Sequence, residues 1–97
     1  MTEKEAKKEL MRRALELSPT AHVGKDGLKD SVCEEIADQL KKRRLIKIRV
    51  LDNADSDTKE VADTIASRVG GVVVDVRGGV VVMTDKRTWT SLSQKKF

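Results

Sequence analysis

Apolar residues recur every three or four positions in three segments of the chain, a spacing that places them on one face of a helix. The first segment opens with a Thr2–Glu5 capping box, and Pro19 is expected to end it. The third opens with a similar arrangement of Asp57 and Glu60 and ends at Gly70. Three helices are predicted, with apolar faces formed by Ala6, Leu10, Ala14 and Leu17; by Val32, Ile36 and Leu40, beside Cys33 and Ala37; and by Val61, Ile65 and Val69.

Four other segments predict β-strands. Ala21–Val23 is long enough only for a short strand, whereas residues 45–51 alternate between apolar and basic positions. In the latter, Lys47 and Arg49 form the outer face. Residues 72–76 and 80–84 flank Arg77-Gly78-Gly79, which predicts a hairpin because glycines accept the positive φ angles of tight turns. With Gly78-Gly79 as the turn, one face carries Asp75 and Arg77, and the other carries Val74, Val76, Val81 and Met83.

The order of these elements, αβαβαββ, predicts an α/β fold. We expect a two-layer domain in which three helices back a roughly four-stranded mixed sheet. A length of 97 residues favours one domain, placed at residues 1–87. The periodic pattern is lost from residue 85 onwards, so residues 88–97, including Trp89, are expected to form a basic, flexible tail.

Charge is unevenly distributed along the chain. The whole sequence carries a formal net charge of +4, with a pI near 9.4. Residues 52–69 contain five acidic residues against Lys59 and Arg68, a net −3, so the remainder carries +7. The basic run at residues 41–44 also exceeds what capping of a helix C-terminus requires. This asymmetry favours a functional basic surface and an anionic partner.

Several functional classes are disfavoured by the residues present. Cys33 is the only cysteine, so no intramolecular disulfide can form, and we interpret it as a structural thiol in a reducing, cytoplasmic setting. His22 has no partner at catalytic spacing and is expected to be a surface or packing residue. The acidic loop at residues 52–57 lacks the glycine and glutamate of an EF-hand. We therefore predict no catalytic residue, metal site, cofactor or membrane span.

The tetrapeptide Gly24-Lys25-Asp26-Gly27 carries the strongest chemical signal in the chain. Its glycines let the backbone approach an anion, and the helix that follows directs unpaired N–H groups at the same place. The segment therefore has the features of a phosphate-binding loop. The alternative is a tight strand-to-helix turn without a ligand. Asp26 either faces the phosphate, which would weaken the site, or caps the second helix.

The motifs around this loop resemble the CRM domain, named for chloroplast RNA splicing and ribosome maturation, whose stand-alone prokaryotic form is YhbY-like. The resemblance rests on the run Leu10–Pro19, which ends in Leu-x-Pro, and on the run His22–Leu28, which contains Gly-Lys-x-Gly-Leu. Ile36, residues 45–48 and residues 76–80 continue the match. It covers roughly residues 7–87. Lys29 departs from the pattern, because the family usually has Thr at that position.

This resemblance implies an RNA-binding domain whose topology is similar to the C-terminal domain of bacterial translation initiation factor three. Family members associate with precursor large ribosomal subunits or with introns of plant organelles. A KH-like role of the loop implies that it clamps the RNA backbone. The RNA-binding residues implied in this chain are Gly24, Lys25, Asp26, Gly27, Lys29, Lys8, Arg12, Arg13 and His22.

We predict a monomeric, non-enzymatic protein that binds ribosomal precursor or other structured RNA, with ribosomal proteins as further partners. Stacking of bases on the sheet is disfavoured because the chain has no Tyr and its one Phe is Phe97. Two alternatives stay open at this point. One is a DNA- or chromatin-binding protein, and the other is an adaptor that docks on a ribosomal protein through an apolar patch at Val80 and Val82.

Overall fold

The computed structural model describes residues 2–24, 28–51 and 58–93. It confirms the predicted α/β class, the four-stranded mixed sheet and the element order, and adds a fourth helix. In chain order the elements are α1 (Glu3–Ala14), β1 (Ala21–Val23), α2 (Asp30–Arg43), β2 (Leu45–Val50), α3 (Thr58–Val69), β3 (Gly71–Arg77), β4 (Val80–Asp85) and α4 (Lys86–Ser93).

The sheet has the strand order β1-β2-β4-β3. β1 runs parallel to β2, and Ala21 is the register partner of Ile48. β4 pairs antiparallel with β2 on one side and with β3 on the other, so it occupies an interior position. β1 and β2 consequently end at the same side of the sheet. There the N–H of Leu51 donates to the carbonyl of Val23 at 2.7 Å.

Helices cover both faces of the sheet, so the domain has three layers and not the two predicted. On one face, α2 and α3 pack over a core that includes Ile48, Val81 and Met83. On the other face, α1 packs over a smaller core that includes Val74 and Val82. The physical reason is visible in β4, whose apolar residues are consecutive and are buried on both faces, as expected for an interior strand.

A β-bulge in β3 changes the predicted face of one valine. The pairing with β4 shifts between Val73 and Asp75, so one extra residue is accommodated there. Val73 and Val76 pack against the core on the α2–α3 face, whereas Val74 lies in the core beneath α1. The prediction that Val74 shares a face with Val81 is therefore wrong, because strict alternation does not hold across a bulge.

The predicted helix ends and turns are mostly confirmed. The Thr2–Glu5 capping box is formed, and the resulting hydrogen bond from the Thr2 backbone N–H lowers the pKa of Glu5. However, α1 ends at Ala14 instead of continuing to Pro19, and Leu17 lies in the segment that follows. Gly70, Gly78 and Gly79 adopt the positive φ angles expected of a helix stop and a hairpin turn. The predicted cap Asp57 lies outside the described residues.

Residues 88–93, expected to belong to a flexible tail, lie in α4, which begins at Lys86. Trp89 and Leu92 are partly buried and pack against the core that contains Leu10 and Val82. Trp89 is therefore a part of the fold and is not a free stacking platform. The helix α4 is hard to predict from the sequence, because two apolar residues in one short segment do not establish a helical period. Residues 94–97 lie outside the described part of the chain.

Candidate nucleic-acid interface

The glycine loop begins where β1 ends. Gly24 is exposed, and a Cβ built on it would meet no heavy atom within 4 Å, so the approach to its backbone is open. Lys25, Asp26 and Gly27 lie outside the described residues. α2 begins shortly afterwards, with the exposed Lys29 at its N-cap and no side-chain capping bond there. The backbone N–H groups at the start of α2 thus donate no hydrogen bond to the side chain of the N-cap residue. They point out of the helix end that follows the loop.

Basic side chains line the sheet next to this loop. His22 on β1 and Arg49 on β2 are register partners and are exposed, and Lys47 lies two residues before Arg49 on the same face. We call these three residues the β1–β2 strip. They lie opposite the buried Ala21, Val23, Ile46 and Ile48, and hence on the sheet face that α1 partly covers. Within the described residues, no ion pair involves the strip.

The basic residues of α1 are partly neutralised by a neighbouring carboxylate. Arg12 Nη2 lies 2.7 Å from Glu9 Oε2, and Arg13 Nε lies 2.9 Å from the same oxygen. The hydrogen bonds from Arg12 and Arg13 lower the pKa of Glu9, and the hydrogen bond to Glu9 raises the pKa of Arg12. Lys8 is exposed on the outward side of the helix and has no ion pair among the described residues. The net positive charge of this helix surface is therefore smaller than its arginines suggest.

The structure does not gather the predicted RNA-binding residues into one patch. His22, Gly24 and Lys29 lie around the end of β1 and the start of α2. Lys8 and Arg12 lie on the outward face of α1, which packs across β2 and β3. Arg13 contributes to the wall of a cavity near the start of β2.

The same cavity contains three arginines that the sequence analysis did not select. Arg43 and Arg44 lie at the end of α2, and Arg87 lies in the first turn of α4. The basic run at residues 41–44 could have identified Arg43 and Arg44 as candidate binding residues. The convergence of Arg87 with them was not predictable, because α4 itself was not predicted.

The structure also places the other residues that the sequence singled out. Cys33 is buried, as expected of a structural thiol, and Arg68 Nη1 lies 3.8 Å from its Sγ. Among residues 2–24, 28–51 and 58–93, no group of three or more His, Cys, Asp or Glu side chains is arranged to hold a metal ion. No helix in the described ranges is long and apolar enough to cross a membrane. The prediction that Val82 belongs to an apolar docking patch is wrong, because Val82 is 4% exposed and belongs to the core.

Comparison with known proteins decides the family. The family model of the CRS1 / YhbY (CRM) domain matches residues 1–83. The chain belongs to this family. The matched region includes the glycine loop and the β1–β2 strip of this CRM domain, and it ends before α4.

Two prokaryotic relatives are named as probable RNA-binding proteins. The CRM domain is 34% identical over 77 residues to "Probable RNA-binding protein YqeI" of Bacillus subtilis, covering 79% of this chain and 80% of that protein. It is 36% identical over 93 residues to "Probable RNA-binding protein MJ0652" of Methanocaldococcus jannaschii, covering 93% and 69%, respectively.

A solved structure and a plant protein extend these similarities. The solution structure of SAV1595 from Staphylococcus aureus superposes with a TM-score of 0.76 at 31% identity, covering 89% of this chain and 90% of that one. The chain is also 29% identical to CRS2-associated factor 1 of Arabidopsis thaliana over 97% of its own length, which is 13% of the plant protein. The fold is thus shared with bacterial proteins of the same size.

Proposed function

We propose that this CRM domain binds structured RNA and acts in ribosome maturation. The family relationship carries the proposal, because two relatives at 34% and 36% identity are named as RNA-binding proteins. The protein acts by binding alone, with no cofactor. Its location in the cytoplasm, its monomeric state and its contacts with ribosomal proteins belong to the same proposal.

The mode of binding that fits the described residues is contact with the RNA backbone. Gly24 and the start of α2 offer backbone N–H groups, Lys29 adds positive charge at the same end of the sheet, and Lys25 follows Gly24 directly in the sequence. The β1–β2 strip continues this charge along the sheet surface. Trp89 packs into the core, and the described strands carry no Phe, Tyr or Trp side chain, so the exposed imidazole of His22 is the one aromatic ring that the described sheet offers for stacking. Recognition by shape and phosphate contacts is therefore favoured over base stacking.

The glycine loop is tested by a double variant, Lys25→Ala with Gly27→Asp. We expect its affinity for a structured RNA hairpin to fall by about tenfold or more, because it removes a phosphate-binding cation and introduces a repelling carboxylate beside the backbone. Fluorescence anisotropy with a labelled hairpin measures the dissociation constant. Circular dichroism on the same sample checks that the variant is folded.

Lys59→Asp is the matched control for this experiment. It changes the net charge by the same two units, but at an exposed position of α3, in the acidic segment of the chain. Its affinity should change far less than that of the loop variant. Unchanged affinity of a folded loop variant, or an equal loss in the control, would contradict the proposed role of the loop. Competition by a DNA duplex of matched length tests the choice of RNA over DNA.

A second variant tests the contribution of α1. Glu9→Gln removes the carboxylate that engages both Arg12 and Arg13. We expect RNA affinity to rise by about two- to fivefold, because two guanidinium groups become available to phosphates. The comparison with Glu3→Gln, which makes the same charge change at the start of α1, separates release of the arginines from a general charge effect. Equal affinities of the two variants would show that the arginines of α1 do not contact the RNA.

A further inference from the structure

A cavity of about 690 Å³ lies at the side of the sheet where β2 begins. α1 and the segment after it, the end of α2, the start of β2 and one side of α4 line it. Four arginines line it: Arg13, Arg43, Arg44 and Arg87. β2 runs from this cavity to the glycine loop, and its six residues separate the two places by roughly 20 Å. The cavity is therefore distinct from the proposed loop site.

Most of the positive charge of this cavity is not neutralised by the residues that the structure describes. No Asp or Glu lines it. Arg13 engages Glu9, but Arg43, Arg44 and Arg87 have no ion pair with any residue of the described ranges. Arginine side chains that line one partly enclosed space carry like charge, and an anion seated among them lowers their electrostatic energy.

Arg44 adopts a backbone conformation that favours glycine. Its φ angle is +66°, at the position after α2 where glycine usually ends a helix. Its N–H donates to the carbonyl of Leu40, and its own carbonyl accepts from the fully buried hydroxyl of Thr84. β4 thus fixes a strained residue whose side chain lines the cavity. Such strain is typical of positions where a side chain is needed for function.

The remaining lining fits an organic anion better than a bare ion. Leu17, Leu45 and Leu92, each partly exposed, supply an apolar surface, and the exposed Ser91 supplies a hydroxyl group. Thr88 Oγ1 is buried and has no hydrogen-bond partner among the described residues. The volume lies in the range of small-molecule sites. Guanidinium forks match phosphate oxygens, while the apolar wall suits a base or ribose ring.

We propose that this arginine cavity binds a phosphorylated nucleotide, with the phosphate among Arg43, Arg44 and Arg87 and the nucleoside against the leucines. Two sources share this chemistry, namely a free mononucleotide and the 5′-phosphorylated end of an RNA strand. The inference does not depend on the proposed role of the glycine loop, because the two places lie at opposite ends of β2.

The test titrates the full chain with adenosine 5′-monophosphate and with adenosine, by calorimetry and by backbone amide NMR shifts. A second arm compares a single-stranded uridine hexamer that carries a 5′-phosphate with one that carries a 5′-hydroxyl. The phosphorylated member of at least one pair is expected to bind at least about tenfold more tightly. The accompanying shifts should be largest at Leu45, Ser91 and Leu92.

Two variants and a control keep the result interpretable. Arg87→Gln and Arg44→Gly should each lower the affinity ratio between the phosphorylated and the unphosphorylated ligand by about tenfold or more. Arg44→Gly relieves the positive φ angle, so its melting temperature should be no lower than that of the parent and misfolding cannot explain the loss. The control is Lys41→Gln, which removes one charge from an exposed neighbour on α2 outside the cavity.

A preference in the mononucleotide pair identifies a free nucleotide as the ligand, and a preference in the hexamer pair alone identifies an RNA end. The proposal is overturned if neither pair shows a preference, or if Lys41→Gln removes as much of it as Arg44→Gly. Hairpin binding by the loop variant is a separate measurement. A negative result in the nucleotide titrations does not contradict the proposed RNA-binding function, and a negative result with the loop variant does not contradict nucleotide binding in the cavity.

Discussion

The affinity of the domain for a structured RNA hairpin is expected to fall about 1,000-fold between 50 and 200 mM monovalent salt. The reason is that contact with about six phosphates releases a corresponding number of condensed counterions. The cations near the glycine loop and on α1 include Lys8, Lys47 and Arg49, which form no ion pair with other described residues and can contact phosphates. Anisotropy titrations at several salt concentrations measure the slope of log K against log salt, expected at about −5.

The slope separates the main functional alternatives. A value near zero would contradict backbone recognition and favour an adaptor that docks on a protein surface. The variant Arg49→Gln provides an internal check, because removal of one phosphate contact should make the slope shallower by about one. An exposed cation away from the interface, such as Lys59 in α3, should leave the slope unchanged when it is replaced by Gln.

The second large effect concerns stability. Leu10→Ala is expected to lower the free energy of unfolding by about 2–5 kcal/mol, because Leu10 is 0% exposed and is central to the core between α1 and the sheet. For a domain of this size, that loss lowers the melting temperature by at least about 10 °C. Thermal unfolding followed by circular dichroism measures it, and Trp89, which packs in the same core, gives an independent fluorescence signal.

Leu15→Ala is the matched control, with the same substitution at the C-cap of α1. Leu15 is 78% exposed, so the expected change is within about 0.5 kcal/mol. If the two variants unfold at the same temperature, α1 does not pack on the sheet as described. If only Leu10→Ala loses stability, the second helical layer contributes to cooperative folding.

Most of the fold could be predicted because each element carries its own local signal. The Thr2–Glu5 capping box, the alternation in β2 and the glycines of the hairpin are all short-range patterns, and all three are confirmed. The bulge in β3 and the burial of β4 on both faces depend on which elements pack above and below the sheet. Such information is tertiary, so periodicity along the chain did not contain it.

The two candidate sites also differ in how far the sequence could predict them. The glycine loop is contiguous in sequence, so its composition alone suggested a phosphate-binding role. The arginine cavity assembles residues from α1, the end of α2 and α4, which are up to 74 positions apart between Arg13 and Arg87. The left-handed conformation of Arg44 gave no sequence signal either, since arginine at a helix end is ordinarily explained by the helix dipole.

The interior position of β4 has a consequence for the way the protein is made. β4 pairs with both β2 and β3, yet it is the last strand to be synthesised. Until residue 85 has left the ribosomal exit tunnel, the short pair of β1 and β2 has no partner strand, and both cores lack their shared strand. We therefore expect folding of the domain to be delayed until β4 has emerged, with the basic helix α1 exposed to ribosomal RNA throughout that interval.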